Sequence, residues 1–282
     1  MGKVAIICDS TANIPQTLIK ELEITIAPLV LIWDNQTYED GVDIQPGEFY
    51  TRLANSKSMP STSQVTPATY KKIFKKLLAE GKELLVLTIS SGLSGTLDSA
   101  VQAKAEFPGK PIELVDSLSA SMALGFPALL AARAAKKGAS LQECKQIAEK
   151  ATKGTGVFFV VDTLDFLHRG GRIGGAAALV GNAFNLKPIL TVTGGKIDSA
   201  AKVRTQRKAI EKMMDMVADR LSNAKTCRLS VLHANAPTQG DEIMSALIQR
   251  FHPVETVFSE VSPVIGTHTG PGTVGVAYLI ED

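Results

Sequence analysis

A chain of 282 residues exceeds the ~100 to 200 usual for one domain, so two domains, or one with a large appendage, are expected. Apolar residues at 45% and charged residues at 21% exclude a disordered or fibrous chain and suit a globular one with substantial cores. Thirty Lys and Arg against 28 Asp and Glu leave a formal +2 spread along the chain, with no basic stripe of the kind nucleic-acid binding needs.

In chain order, short Val- and Ile-rich runs alternate with segments of helical period. VAIIC precedes a helix over 15–22, TIAPLVLIW one over 66–79, ELLVLTI one over 96–107, and IELVD a pair over 119–137 and 140–152. VFFVVD and PILTV follow, then a helix over 205–222, CRLSVLHA, a helix over 237–251 and VETVFSEV. Such alternation marks βαβ units, so the expected fold is α/β with mainly parallel sheets and flanking helices. Several helices open on Ser, Thr or Pro, which cap a first turn or lack the N–H that would go unpaired there. The polar stretch TKGTG places a boundary between an N-terminal domain, 1–155, and a C-terminal domain, 156–282.

SLSASMALGFPALLAARAAKK is interrupted by Gly125 and Pro127 and carries Arg133, which favours a helix buried between sheet and neighbours over a membrane span. In GGAAALVGNAF the small side chains permit either close packing or an empty channel beside the segment. Cys8, Cys144 and Cys227 are far apart with no C-x-x-C pair, which suits a reducing compartment and no structural zinc. The start MGKVAIICDS lacks the pattern of a secretory signal, and no run reaches the ~18 apolar residues of a span, so a cytoplasmic location is expected.

Hydroxyl-rich loops are the main chemical signal: DSTA at 9–12, PSTSQ at 60–64, SSGLSGT at 90–96, DSLSAS at 116–121 and GTHTGPGT at 266–273. Three follow strands, where open parallel sheets bind ligands and a helix N-terminus adds free N–H groups and partial positive charge. A single Ser or Thr there is adequately explained as a cap, the reading adopted for DSLSAS. Asp9 lacks a second aspartate two residues on, where Thr11 stands, so it or Ser10 is read as holding a turn. SSGLSGT has more hydroxyls than capping needs, and Gly92 and Gly95 allow close backbone approach. An anion fits such a loop.

His168, His233 and His252 sit at the ends of predicted elements and read as structural. His268 stands in what reads as a polar, glycine-rich loop, as either an anion ligand or an exposed bystander. Ser94 and His268, with Asp162, Asp165 or Asp198, follow the Ser, acid, His order of α/β-hydrolases, which keeps an esterase or acyl hydrolase as an alternative. GLSGT, however, places Thr96 where a nucleophile elbow needs its second glycine. No Walker loop, dinucleotide fingerprint or metal-ligand spacing is present.

The ordered series DSTANIP, PSTSQVTP, ISSGLSGT, VDSLSASM, LHRGGRIGG, KPIL, KVRT and IGTHTGPGTVG resembles the DegV family of bacterial fatty-acid-binding proteins across nearly the whole chain. The resemblance implies a two-domain α/β protein that holds one long-chain fatty acid, such as palmitate, in a tunnel. It also implies a partner, a separate fatty acid kinase to which the carboxylate is presented for acyl-phosphate formation in phospholipid synthesis. No catalysis, metal or cofactor of its own is implied, and transient contact with a membrane surface is compatible with the role. Thr62, Ser94 and His268 match the residues that hold the carboxylate, with Ser61 standing where many relatives carry Thr or Lys. Arg172 and Arg204 match arginines implicated in docking the kinase; these two and Arg169 read equally as solvated surface charges.

A fatty acid brings one anionic head and a long apolar tail. At ~0.8 kcal/mol per methylene, burial of a sixteen-carbon tail contributes about 12 kcal/mol before ordering costs, against ~1.5 to 3 kcal/mol for each hydrogen bond to the head. Neutral hydroxyl donors therefore suffice to orient the ligand. The tail is expected along 174–184, with Phe158, Leu167, Ala177, Leu179, Phe184 and Ile265 as candidate lining.

Overall fold

Residues 3–179 and 186–281 are described by the computed structural model. β1 (Val4–Asp9) runs through a 3-10 turn (Ser10–Ala12) into α1 (Gln16–Leu22) and β2 (Thr25–Ala27). β3 (Val30–Trp33), β4 (Gln36–Glu39), α2 (Pro46–Asn55) and β5 (Ser61–Ser63) follow. The first half ends with α3 (Pro67–Ala79), β6 (Glu83–Thr88), α4 (Thr96–Ala105), β7 (Ile112–Asp116), α5 (Met122–Lys136) and α6 (Leu141–Gly154). The second half comprises β8 (Thr155–Val160), α7 (Asp165–Arg169), a 3-10 turn (Gly174–Leu179), β9 (Lys187–Thr193), β10 (Lys196–Val203) and α8 (Gln206–Leu221). It closes with β11 (Thr226–His233), α9 (Pro237–Phe251), β12 (Glu255–Glu260), α10 (Pro263–Thr269) and β13 (Val274–Glu281).

The first sheet, ordered β2-β1-β6-β7, is parallel throughout, as the alternation of strands and helices predicts. The six-stranded sheet, β10-β9-β8-β13-β11-β12, is parallel only between β11 and β12. One of its antiparallel pairs is a hairpin: Gly194 and Gly195, with φ of 56° and 79°, supply the two left-handed residues of a tight β9–β10 turn. TIAPLVLIW does not stay one strand. Pro28, which cannot donate to a sheet ladder, separates β2 in the parallel sheet from β3 in a small antiparallel sheet ordered β4-β3-β5.

Packing gives five layers. α3 and α4 cover one face of the parallel sheet, where Tyr70 and Phe74 meet Ile7, Leu84 and Val86. α5 and α6 fill the space between the two large sheets, and α8 lies with α9 on the far face of the second. This placement explains the uniformly apolar sequence of α5, whose residues 122–129 are all buried. Arg133 on that helix pairs with Glu255 of β12, which also accepts from Arg228. No helix among the described residues is long and apolar enough to cross a membrane.

Candidate functional site

In the parallel sheet the chain proceeds from β1 to β2 on one side and onward to β6 and β7 on the other, so the strand order reverses between β1 and β6. The crevice beyond the carboxyl ends of such strands is where open sheets take ligands. Asp9 spans it at the base, accepting from the backbone N–H of Thr11 at 3.0 Å and of Ile89 at 2.5 Å. Burial pushes its carboxyl up to about 6. Asp9 therefore holds a turn.

Above this crevice a cavity with about 1080 Å³ of atom-free space, its mouth included, opens between the halves. Small-molecule sites are mainly apolar with a few polar groups. Thr62 and Gln64 enter from β5 and the residue after it, Ser94 from the β6–α4 loop, His268 from α10, and Arg172 from the segment after α7. The remaining wall is largely apolar, with Val157 and Phe159 of β8, Val192 of β9, Ile197 of β10 and Leu232 of β11.

Thr62 Oγ1 and His268 Nε2 are 2.7 Å apart, and His268 Nδ1 is buried without a partner among the described residues. Burial first, and the nearby Arg172 second, push the His268 pKa down to about 4, so the ring is neutral near pH 7. A buried lone pair costs less than a buried unpaired N–H, which assigns the proton to Nε2. Thr62 then accepts from His268 and keeps its own hydroxyl hydrogen for an acceptor in the cavity. A Cβ on Gly170, at the end of α7, would lie 2.1 Å from His268 Nδ1, so the ring rests directly on a bare backbone.

Ser94 Oγ shares a hydrogen bond of 2.9 Å with Thr96 Oγ1. Among the described residues no hydrogen bond joins Ser94 to His268, and no carboxylate meets Nδ1, so the nucleophile, base and acid of a hydrolase are not linked. The two glycines of this loop serve contacts within the protein. A Cβ on Gly92 would lie 2.5 Å from Gly195 O at the β9–β10 turn, and one on Gly95 would lie 2.4 Å from Gln64 Oε1. Ser90 completes that seam by donating to Gly195 O at 2.7 Å.

Several positions differ from the sequence expectation. His268 lies in the last turn of α10, a short helix begun by Pro263 and ended by Gly270 at φ 76°, a start and stop visible in the sequence. Phe158 points into the core under α8, because alternate residues of a strand face opposite sides; Val157 and Phe159 face the cavity. Leu167 and Ile265 line the cavity. Ala177 is exposed and Leu179 packs on the central core; neither lines the cavity, and Phe184 lies outside the described residues. The small residues of that segment serve packing, since a Cβ on Gly174 would lie 2.1 Å from Ile197 O.

Arg172 is the cavity residue that sequence reasoning placed at the surface. It stands half-buried in the cavity wall, donating from Nη1 to Gly170 O at 2.7 Å and from Nε to Leu93 O at 3.3 Å. The cavity wall thus carries one cation beside the hydroxyls of Thr62 and Ser94 and the neutral ring of His268. Arg169 and Arg204 are exposed and do not line the cavity. No group of His, Cys, Asp and Glu among the described residues is arranged to hold a metal.

Comparison with known proteins finds relatives over nearly the whole chain. A sequence profile described as "Uncharacterised protein, DegV family" matches residues 3–281. A DegV domain-containing protein of Streptomyces coelicolor is 39% identical over 275 residues, 97% of each chain. A solved DegV family protein from Thermus thermophilus, described by its fatty acid binding, is 32% identical with a TM-score of 0.93, covering 99% of this chain and all of its own. DegV from Bacillus subtilis, described as a fatty acid binding protein, is 30% identical with a TM-score of 0.89 over the whole of both chains.

Proposed function

Because the chain belongs to the DegV family, we propose that it carries one long-chain fatty acid in the cavity between its halves. The carboxylate takes hydrogen bonds from Thr62 and Ser94, His268 joins that network by donating to Thr62, and the tail lies against the strand faces of the second sheet. The observation that carries this reading is that Thr62, Ser94 and His268, from three separate segments, all line one largely apolar cavity. Two hydroxyl donors, one of them oriented by His268, give the head its direction, and Arg172 balances its charge. The apolar wall supplies the affinity.

In this reading the protein turns nothing over. It presents the carboxylate to a separate fatty acid kinase, whose product, an acyl phosphate, feeds phospholipid synthesis; Arg172 and Arg204 contribute to that docking. A cytoplasmic location with transient access to a membrane surface suits such a carrier, as do three free thiols. Lipid extraction of the purified protein, read by mass spectrometry, tests the core of the proposal. A fatty acid at one per chain is expected, and a lipid-free extract from protein that also fails to take up added palmitate overturns it.

A further inference from the structure

Asp40 is 1% exposed, lies just beyond β4 in the first half, and sends its side chain across to the second. Its Oδ1 accepts from the backbone N–H of Val264, 224 residues away, at 3.1 Å. Val264 is the second residue of α10, and Ser262, which precedes that helix, makes no capping hydrogen bond with its own side chain. A carboxylate from the other half therefore satisfies a first-turn N–H that the local sequence leaves open. His268 follows Val264 by four residues, one helical turn along the same face, and both line the cavity. Fixing Val264 fixes the height and rotation of the imidazole.

Oδ2 of the same carboxylate accepts from Ser10 Oγ at 2.7 Å, and Ser10 Oγ accepts from the N–H of Leu29 at 3.0 Å. Ser10 adjoins Asp9, which receives the N–H of Ile89 at the root of the loop that carries Ser94. One buried polar chain thus connects the base of the Ser94 loop to the helix of His268, although neither Asp40 nor Ser10 lines the cavity.

We propose that Asp40 is a positioning residue, an N-cap supplied across the seam, that sets His268 against Thr62 and in register with Ser94. The inference rests on the fatty-acid reading of the site, but its first test does not. In ligand-free protein the His268 Nε2–H correlation in a 15N NMR spectrum should move on Asp40→Ala and return towards its original position in Asp40→Asn, which keeps an acceptor for Val264 N–H. An unmoved signal in Asp40→Ala overturns the proposal.

The second test measures retention of cis-parinaric acid. Asp40→Ala should weaken it about tenfold when His268 is present and less than twofold in a His268→Ala background, since the effect passes through the imidazole. Equal losses in both backgrounds would mean a general structural role and overturn the inference. A wild-type protein that binds no probe while Asp40→Ala still shifts the His268 signal would count against the fatty-acid reading alone. Should Asp40→Ala not fold, Ser10→Ala, which removes one donor to the carboxylate, should shift the same signal in the same direction by less; no shift there overturns it.

Discussion

Thr62 and His268 are 206 residues apart in the chain and 2.7 Å apart in space, on strand β5 of the first half and helix α10 of the second. The pair exists only when the halves are assembled. A hydrogen bond to a charged group contributes ~1.5 to 3 kcal/mol, so Thr62→Val should weaken fatty-acid binding about 10- to 100-fold. Calorimetric titration with palmitate checks this, and a double substitution with His268→Ala should cost much less than the product of the two single losses.

Ser94→Ala should reduce retention in the same range while leaving the melting temperature within a degree or two, because Ser94 is only partly buried. A fluorophosphonate probe gives the second arm. The carrier reading predicts no labelling at Ser94, and labelling that disappears with His268→Ala would restore the hydrolase.

Arg172 responds to charge where Thr62 and Ser94 respond to shape. Arg172→Gln should weaken binding of a fatty acid severalfold or more and leave binding of the corresponding fatty alcohol nearly unchanged. Equal losses for both ligands would assign the arginine to packing, through its bonds to Gly170 and Leu93.

Chain length should follow the sheet faces. Val192→Phe adds volume to a partly buried side chain in the cavity wall and should shift bound lipid towards shorter acyl chains. Ala177→Phe, at an exposed position outside the wall, should leave the lipid profile unchanged. Mass spectra of extracts from the two variants decide between these positions.

The pH dependence of stability has two opposing parts. His268 has its pKa pushed from 6.5 down to about 4, so the unfolded chain binds the extra proton and stability is lost as pH falls from 6.5 towards 4. Asp9 is pushed from 3.8 up to about 6, so the folded chain binds the proton and stability is gained as pH falls from 6 towards 4. Each contributes on the order of 3 kcal/mol across its window, with opposite sign. Removing the histidine exposes the other slope: His268→Gln should become more stable, relative to wild type, as pH drops from 6.5 to 4.5. Urea unfolding at a series of pH values reads the difference directly.

What the sequence disclosed and what it withheld divide along physical lines. The three candidate head-group residues stand out because each sits in a short motif rich in hydroxyls, and the structure brings all three to one cavity wall. The strand VGVAYLI of β13 carries apolar and small side chains on both faces, all buried from Val274 to Leu279, and so offers no alternation to read. α10 is short, and Gly266 lets it lie close against Phe49 and Tyr50, a contact no local pattern records. Phe158 illustrates phase. Its strand was plain, but which alternate residues face the ligand depends on pairing with β9 and β13. The inward turn of Arg172 depends on carbonyls of Gly170 and Leu93, the latter in the other half of the chain.

The central apolar cluster, which runs from Val4 in β1 through α5 and α6 to Leu279 in β13, constrains how the proposed lipid would enter and leave. Prising the halves apart would wet that entire interior, at roughly 25 cal/mol for every Å² of apolar surface exposed, a toll far above the modest activation that frequent cargo exchange tolerates. The proposed cargo would therefore pass through the mouth of the cavity without separating the halves, while that cluster stays packed.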